Sequence, residues 1–219
     1  MTIPTSVTSA TRPNTTLIKI CGIRSVEMAA MAVEAGADAI GMVIDVPGSP
    51  RTLTLDEAEA IAATLPPRIM KIAVVRNGDP QMAARWHSTW VQLHGDEDEQ
   101  TVADFARTKH VMRGFRFDVD DVLRWDACPD VDILLIDGST GGTGESFRHD
   151  QLAALMPKIT KPVVLAGGLT PDNVADAIAT VRPFAVDVSS GVESAPGIKD
   201  ADLIAQFCDA VRAEKSTRG

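Results

Sequence analysis

The chain has 219 residues, of which 45% are hydrophobic and 23% charged, a balance typical of a globular protein with one substantial core. The formal net charge of −9 disfavours broad nucleic-acid binding, although a local nest of backbone N–H groups can still bind a small phosphate. No apolar run is long enough to cross a membrane, and the first residues do not resemble a secretory signal. We therefore expect neither a nucleic-acid partner nor a membrane.

The three cysteines are Cys21, Cys128 and Cys208. Their number is odd and no two lie close in sequence, so they indicate neither a disulfide framework nor a zinc site. The four histidines show no ligand-like spacing with them. We expect no metal and a reducing, cytoplasmic location.

From residue 17 onwards, short apolar runs alternate with amphipathic stretches. In chain order, the pattern predicts strand 17–21 and helix 25–34, strand 39–44 and helix 54–64, strand 70–75 and helix 79–87, strand 90–93 and helix 96–108, strand 111–115 and helix 119–125, strand 131–137 and helix 149–156, strand 162–166 and helix 171–180, and strand 183–188 and helix 200–213. Thr54 and Glu57 have the spacing of a capping box, and Pro171 is expected in the first turn of the seventh helix.

Eight strand–helix units predict an α/β fold with a parallel sheet. Their number favours closure into a (βα)8 TIM barrel over an open doubly wound sheet, and the Gly-rich dinucleotide signature is missing after the first strand. The absence of an internal linker predicts one domain over 17–214. We expect 1–16 to be a disordered N-terminal tail and 215–219 a short C-terminal tail.

In barrels of this kind, functional residues lie at the C-terminal ends of the strands. Cys21 ends the first strand, and Lys19 shares its side of the strand one layer deeper. An ammonium group there would lower the Cys21 pKa and make the thiol reactive, whereas a lone buried cysteine is usually inert. Arg51 follows the second strand, where position alone predicts a solvated surface charge.

Acidic and polar residues also lie at strand ends. Asp137 ends the apolar sixth strand, and we interpret it as a general acid–base group, with a role in ordering the loop as the alternative. Asp187 in the eighth strand faces the barrel interior, where it either contacts substrate or pairs with Lys19. Gln92 and His94 end the fourth strand and form either a buried polar network or part of the catalytic site.

Two Gly-rich turns follow the last two strands. Gly167 and Gly168 lie in the first turn, and Ser189, Ser190 and Gly191 in the second. Loops in these two places often form the phosphate site of a barrel, because glycines let backbone N–H groups approach an anion closely. The pair of turns therefore predicts a small phosphorylated sugar as the ligand.

The same segments resemble the phosphoribosylanthranilate isomerase family of tryptophan biosynthesis. The resemblance covers the chain from about residue 17 to the last helix, in the order IKICGI (18–23), GADAIG (36–41), SPR (49–51), VQLHG (91–95), LID (135–137), GGTG (141–144), LAGGL (165–169) and RPFAVDVSSGVE (182–193). The first and last motifs are the most specific to this family.

The resemblance implies a cofactor-free Amadori rearrangement of N-(5-phosphoribosyl)anthranilate. It implies that Asp137 is the general acid, that the Cys21 thiolate is the general base, and that Arg51 holds the anthranilate carboxylate. His94, Asp187 and Gly142, the last in the loop after the sixth strand, are the other expected substrate contacts. The monomer and the homodimer both remain open.

Two alternatives stay open. The first is a related barrel isomerase of the histidine-biosynthesis type, which normally carries Asp where this chain has Cys21. The second is a barrel that binds a phosphate without catalysis, since a fold alone does not establish an activity. The presence of Cys21, Asp137 and Arg51 together favours the enzyme.

Overall fold

The computed structural model describes residues 15–138 and 149–216 of the chain. Its elements are β1 (Leu17–Cys21), α1 (Val26–Ala35), β2 (Ala39–Ile44), α2 (Leu55–Thr64), β3 (Met70–Val75), α3 (Pro80–Arg85), β4 (Trp90–Leu93), α4 (Glu99–Ala106), β5 (His110–Arg116), α5 (Val119–Ala127), β6 (Ile133–Asp137), α6 (His149–Leu155), β7 (Val163–Ala166), α7 (Val174–Val181), β8 (Ala185–Val188) and α8 (Ala201–Ser216).

The eight main strands form a closed parallel barrel. Each strand pairs with the next in chain order, and β1 pairs with both β2 and β8. In the closing ladder, Lys19 lies opposite Asp187. Helices follow the strands and surround the barrel, so the predicted (βα)8 architecture is confirmed.

Strand periodicity divides the apolar residues into two layers. On β6, Leu134 and Ile136 pack outward against the helices, while Ile133 and Leu135 pack inside the barrel. Asp137 has the same parity as Ile133 and Leu135, so its side chain is on the inner face of the strand. Because it is the last residue of β6, it lies at the mouth of the barrel. Cys21 belongs to the same inner cluster at the end of β1.

Local capping explains several helix boundaries. At the start of α2, the Thr54 side chain accepts from the Glu57 amide and Glu57 accepts from the Thr54 amide, which confirms the predicted capping box. The fourth helix begins at Glu99, later than predicted, because Asp98 is its N-cap and accepts from the Thr101 amide.

The prediction for the seventh helix was wrong at its start. Pro171 lies in a turn, and α7 begins at Val174, after the Asn173 side chain has accepted a hydrogen bond from the Thr170 amide. The amides of Asn173 and Val174 donate to the Thr170 carbonyl at 3.3 and 3.1 Å, so residues 170–173 form a hydrogen-bonded turn that precedes the helix. The last helix runs to Ser216, beyond the predicted end at 213.

Three short strands were not predicted. Thr52–Leu53 pairs with the end of β2, and Glu193–Ala195 pairs with Ile198–Lys199 in a hairpin after β8. Each has only two or three residues, too few to show an alternating pattern. This hairpin, residues 193–199, packs next to the barrel mouth.

The predicted domain limits remain predictions. Of the N-terminal segment 1–16, the structure describes only Thr15 and Thr16. Among the described residues, no helix combines the length and the apolar character needed to span a bilayer.

Candidate active site

Polar side chains converge on the C-terminal end of the barrel. Cys21 lies at the end of β1 and Asp137 at the end of β6. Along the shorter path around the barrel, the strands β8 and β7 lie between β1 and β6. His94 follows β4, and Arg51 lies in the loop after β2. The structure thus brings four of the predicted residues to the same face of the barrel.

Cys21 is buried, with 7% of its surface exposed. A Cβ atom built on Gly41 of β2 would lie 2.9 Å from the Cys21 sulfur and 3.0 Å from Lys19 Nζ, so the thiol and the ammonium meet over this glycine. Burial raises the pKa of Cys21, and the Lys19 and Lys199 ammonium groups oppose that rise without overcoming it. The expected lowering of the Cys21 pKa was wrong, because desolvation outweighs the nearby charges.

Asp187 forms an ion pair with Lys19 inside the barrel. The distance from Lys19 Nζ to Asp187 Oδ1 is 2.8 Å, and both side chains are more than nine-tenths buried. Burial lowers the pKa of Lys19, but Asp187 and Cys21 together raise it above its ordinary value. Of the two roles considered for Asp187, the structure shows the pairing with Lys19, and a contact with substrate remains a prediction.

His94 lies between the buried amide of Gln92 and the carboxyl group of Asp137. Gln92 Nε2 lies 2.8 Å from His94 Nδ1, and His94 Nε2 lies 3.7 Å from Asp137 Oδ2. If the amide donates, Nδ1 is the acceptor and Nε2 carries the proton that faces Asp137. A Cβ atom on Gly114 would lie 2.4 Å from His94 Nδ1, so a glycine on β5 makes room for the imidazole ring.

Arg51 is held by a carboxylate that the sequence reasoning missed. Its Nε and Nη2 atoms donate to Glu193 at 2.8 and 2.6 Å, and Lys199 Nζ donates to the same carboxylate at 2.8 Å. The prediction of a free surface charge from position alone was therefore wrong. The contact joins positions far apart in the chain, and only the SSGVE motif pointed to this segment.

The two glycine turns meet beside the mouth. Gly167 and Gly168 have φ values of +90° and +66°, a region that favours glycine. A Cβ atom on Gly191 would lie 1.9 Å from the carbonyl oxygen of Leu169, so this position needs a glycine for the turns to touch. Ser190–Val192 forms a single 3-10 turn directly after Ser189.

A cavity of about 710 Å³ opens on the other side of the mouth, large enough for a small metabolite. Its lining residues carry charges of both signs, and they include His94 and Asp137, the arginines Arg76, Arg116 and Arg124, and the acidic residues Asp96, Asp98 and Asp121. Gly142, the remaining predicted substrate contact, lies outside the described residues.

The convergence of a thiol, carboxylates and glycine turns on the C-terminal face is the arrangement found in (βα)8-barrel enzymes. Fold and site together therefore define a barrel enzyme for a small anionic substrate. The comparisons with known proteins give its family.

The family model described as N-(5'phosphoribosyl)anthranilate (PRA) isomerase matches residues 18–210. An N-(5'-phosphoribosyl)anthranilate isomerase from Methanopyrus kandleri is 40% identical over 215 residues, which cover 91% of this chain and 98% of the relative. The solved phosphoribosyl anthranilate isomerase from Thermotoga maritima is 36% identical with a TM-score of 0.82, covering 90% of this chain and 99% of that one.

A further solved phosphoribosyl anthranilate isomerase is in complex with reduced 1-(o-carboxyphenylamino)-1-deoxyribulose 5-phosphate. It is 34% identical, with a TM-score of 0.77, and the match covers 90% of this chain and 99% of that one. The chain belongs to the N-(5'-phosphoribosyl)anthranilate isomerase family. It is an isomerase of tryptophan biosynthesis, and the histidine-pathway alternative is not favoured.

The buried ion pair gives a prediction about stability. Asp187→Asn leaves the Lys19 ammonium buried without a counter-charge, and we expect the free energy of unfolding to fall by about 3–5 kcal/mol. Replacing both residues by apolar ones, Lys19→Met with Asp187→Leu, should recover much of this loss. Urea denaturation at neutral pH measures both effects.

The control is Asp104→Asn, which breaks the exposed pair between Asp104 and Arg107. We expect it to cost about 0–1 kcal/mol, because solvent screens exposed pairs. Equal decreases in the free energy of unfolding for Asp104→Asn and Asp187→Asn would contradict the prediction that the buried pair matters more for stability than the exposed one.

Proposed function

We propose that the protein converts N-(5-phosphoribosyl)anthranilate to 1-(2-carboxyphenylamino)-1-deoxyribulose 5-phosphate by general acid–base catalysis without a cofactor. The observation that carries this proposal is the placement of Cys21 and Asp137 at the ends of β1 and β6, facing one mouth, in a chain of this family. Opening a sugar ring and moving a proton between carbons require one acid and one base held on different sides of the substrate.

Asp137 is the proposed general acid. In its protonated form it gives its proton to the ribose ring oxygen, the bond from C1 to that oxygen breaks, and a protonated imine forms between C1 and the anthranilate nitrogen, which keeps its hydrogen. Asp137 has 22% of its side chain exposed, so it can meet the substrate, and the His94 imidazole faces the same carboxyl group. His94 has 31% of its side chain exposed and lies 3.7 Å from this carboxyl group, beyond direct hydrogen-bond distance, so the proposed acid role rests on the place of Asp137 at the mouth.

Cys21 is the proposed general base. Its thiolate removes the proton from C2, the electron pair forms the C1–C2 double bond, and the imine nitrogen becomes an amine. The resulting enolamine takes a proton at C1 and gives up the proton of its C2 hydroxyl, which leaves the ketone, so the substrate and product are isomers. Lys19 and Lys199 favour the thiolate electrostatically, which offsets part of the desolvation that disfavours it.

The substrate is proposed to lie with its phosphate on the two glycine turns. Backbone amides near Gly167, Gly168, Ser189, Ser190 and Gly191 supply a local donor site that does not depend on the net charge of the protein. The bound reduced product analogue in a relative supports a sugar phosphate in this fold.

Arg51 is proposed to bind the anthranilate carboxylate beside Cys21, and Gly142 and Asp187 are kept as further proposed contacts. We also propose that the protein is cytoplasmic. All three cysteines are free thiols, which fits a reducing compartment.

The catalytic pair is tested by substitution. We expect Cys21→Ala and Asp137→Asn each to lower kcat by about 10²–10⁴-fold, because each removes one proton-transfer group. The fluorescence decay of freshly formed N-(5-phosphoribosyl)anthranilate follows turnover directly.

Matched controls are Cys208→Ala, which removes a buried thiol on α8, and Asp209→Asn, which removes an exposed carboxylate on the same helix. Both should keep the parent kcat. A parent protein that binds a product analogue but shows no turnover would support the non-catalytic barrel instead.

The raised pKa of Cys21 predicts a pH dependence. The thiolate fraction of a group with a raised pKa increases only as the pH rises, so kcat/KM should climb with pH through a pKa above the ordinary cysteine value. Cys21→Asp carries a carboxylate that ionises at much lower pH, and it should lose this alkaline rise. If the alkaline rise persisted unchanged in Cys21→Asp, another group would be the base.

A further inference from the structure

The hairpin at residues 193–199 holds a buried carboxylate between two cations. Glu193 has 4% of its side chain exposed and accepts from Arg51, from Lys199 and from the Gly197 amide at 3.2 Å. The carboxylate lies between the loop after β2 and the loop after β8. It therefore links the two sides of the mouth that flank Cys21.

Lys199 fixes the position of Glu193. Its ammonium is fully buried and donates to the Ser189 carbonyl at 2.9 Å as well as to Glu193 Oε1. The Arg51 and Lys199 cations hold the pKa of Glu193 at about 2 despite its burial, so the carboxylate is ionised throughout the physiological range.

The charges of this cluster do not balance. Arg51 and Lys199 carry two positive charges and Glu193 one negative charge, so one positive charge remains. Arg51 is the exposed member, with 23% of its side chain accessible, whereas the other two are almost completely enclosed. The surplus charge is therefore presented at Arg51, and it suits an anion in the mouth.

Glycines set the direction of the Arg51 side chain. A Cβ atom on Gly22, the residue after Cys21, would lie 2.5 Å from Arg51 Cδ, so the arginine stem crosses the end of β1. A Cβ atom on Gly197 would lie 2.4 Å from the Pro50 carbonyl oxygen, which shows how closely the hairpin approaches the Arg51 loop. Within the described residues, Glu193 engages Nε and Nη2, and Nη1 is the nitrogen available to a ligand.

We propose that Glu193, held by Lys199, is a positioning residue that orients Arg51 so that Nη1 binds the carboxylate on the aromatic ring of the substrate. This proposal rests on the proposed function. Glu193 touches Arg51 and not the substrate, so it determines which aryl amines are accepted rather than the proton transfers. The site thereby selects a substrate with a carboxylate next to the amine.

The test compares two substrates in steady-state kinetics. Glu193→Gln keeps the size of the side chain, but it removes the negative charge and the second carboxylate oxygen, so the side chain no longer accepts from both Arg51 Nε and Arg51 Nη2. We expect KM for N-(5-phosphoribosyl)anthranilate to rise about 10- to 100-fold, as for the loss of a charged hydrogen bond, with kcat changed far less. With the carboxylate-free analogue made from aniline, parent and variant should have the same KM.

The action through Arg51 is tested in a double variant. In an Arg51→Ala background, Glu193→Gln should produce no further rise in KM, because the group that it orients is gone. Ser194→Ala, a neighbouring exposed hairpin position, should behave as the parent with both substrates. Glu193→Asp keeps the charge with a shorter reach, and it provides the same comparison if Glu193→Gln does not fold.

The outcomes separate the two proposals. A KM rise confined to the carboxylate-bearing substrate, and abolished in the Arg51→Ala background, supports the positioning role. An unchanged KM, or an equal rise with the aniline analogue, overturns that role while leaving the isomerase intact. A parent protein without turnover overturns the proposed function, and the carboxylate assignment with it.

Discussion

The ion pair between Lys19 and Asp187 is the constraint on which the rest of the site depends. It lies across the seam where the first and last strands close the barrel, and the two residues are direct partners in that ladder. Removing either charge would leave the other in a low-dielectric interior at a cost of several kcal/mol. The pair therefore favours one register of closure, and that register places Cys21 one layer above, at the mouth.

The same ammonium contributes to the chemistry. Cys21 is buried enough that desolvation raises its pKa, and Lys19 beside it works in the opposite direction. The thiol is consequently protected in the resting protein and still able to ionise. A base of this kind differs from a carboxylate, which would be ionised throughout the neutral range and would give a different dependence on pH.

A second group of charges lies at the mouth, in the loops that follow β2 and β8, the two strands next to β1. Lys199 and Glu193 are enclosed, and Arg51 extends from them towards the mouth. The buried charges cancel within each group, Lys19 against Asp187 and Lys199 against Glu193. The remaining positive charge belongs to Arg51, which is partly exposed at the mouth, where an anion would bind. In this way a protein with a net charge of −9 can present a local positive site for an anionic substrate.

Periodicity was sufficient to predict the barrel and the positions of Cys21 and Asp137, because inward parity and strand ends follow from the pattern of apolar residues. Contacts between side chains that are distant in the sequence could not be predicted from this pattern. The sequence left Asp187 between two roles, and Glu193 was missed because its partner Arg51 lies 142 positions away. The start of α7 was misplaced because the Asn173 side chain takes a hydrogen bond that the Pro171 signal does not reveal.

The most direct test of the proposed mechanism is a crystal structure of this protein with reduced 1-(o-carboxyphenylamino)-1-deoxyribulose 5-phosphate bound. The proposed binding mode requires the phosphate on the amides of Gly168, Ser190 and Gly191, C2 within about 4 Å of the Cys21 sulfur, and the carboxylate on Arg51 Nη1. A ligand seated with its phosphate among Arg76, Arg116 and Arg124, and with C2 remote from Cys21, would contradict it.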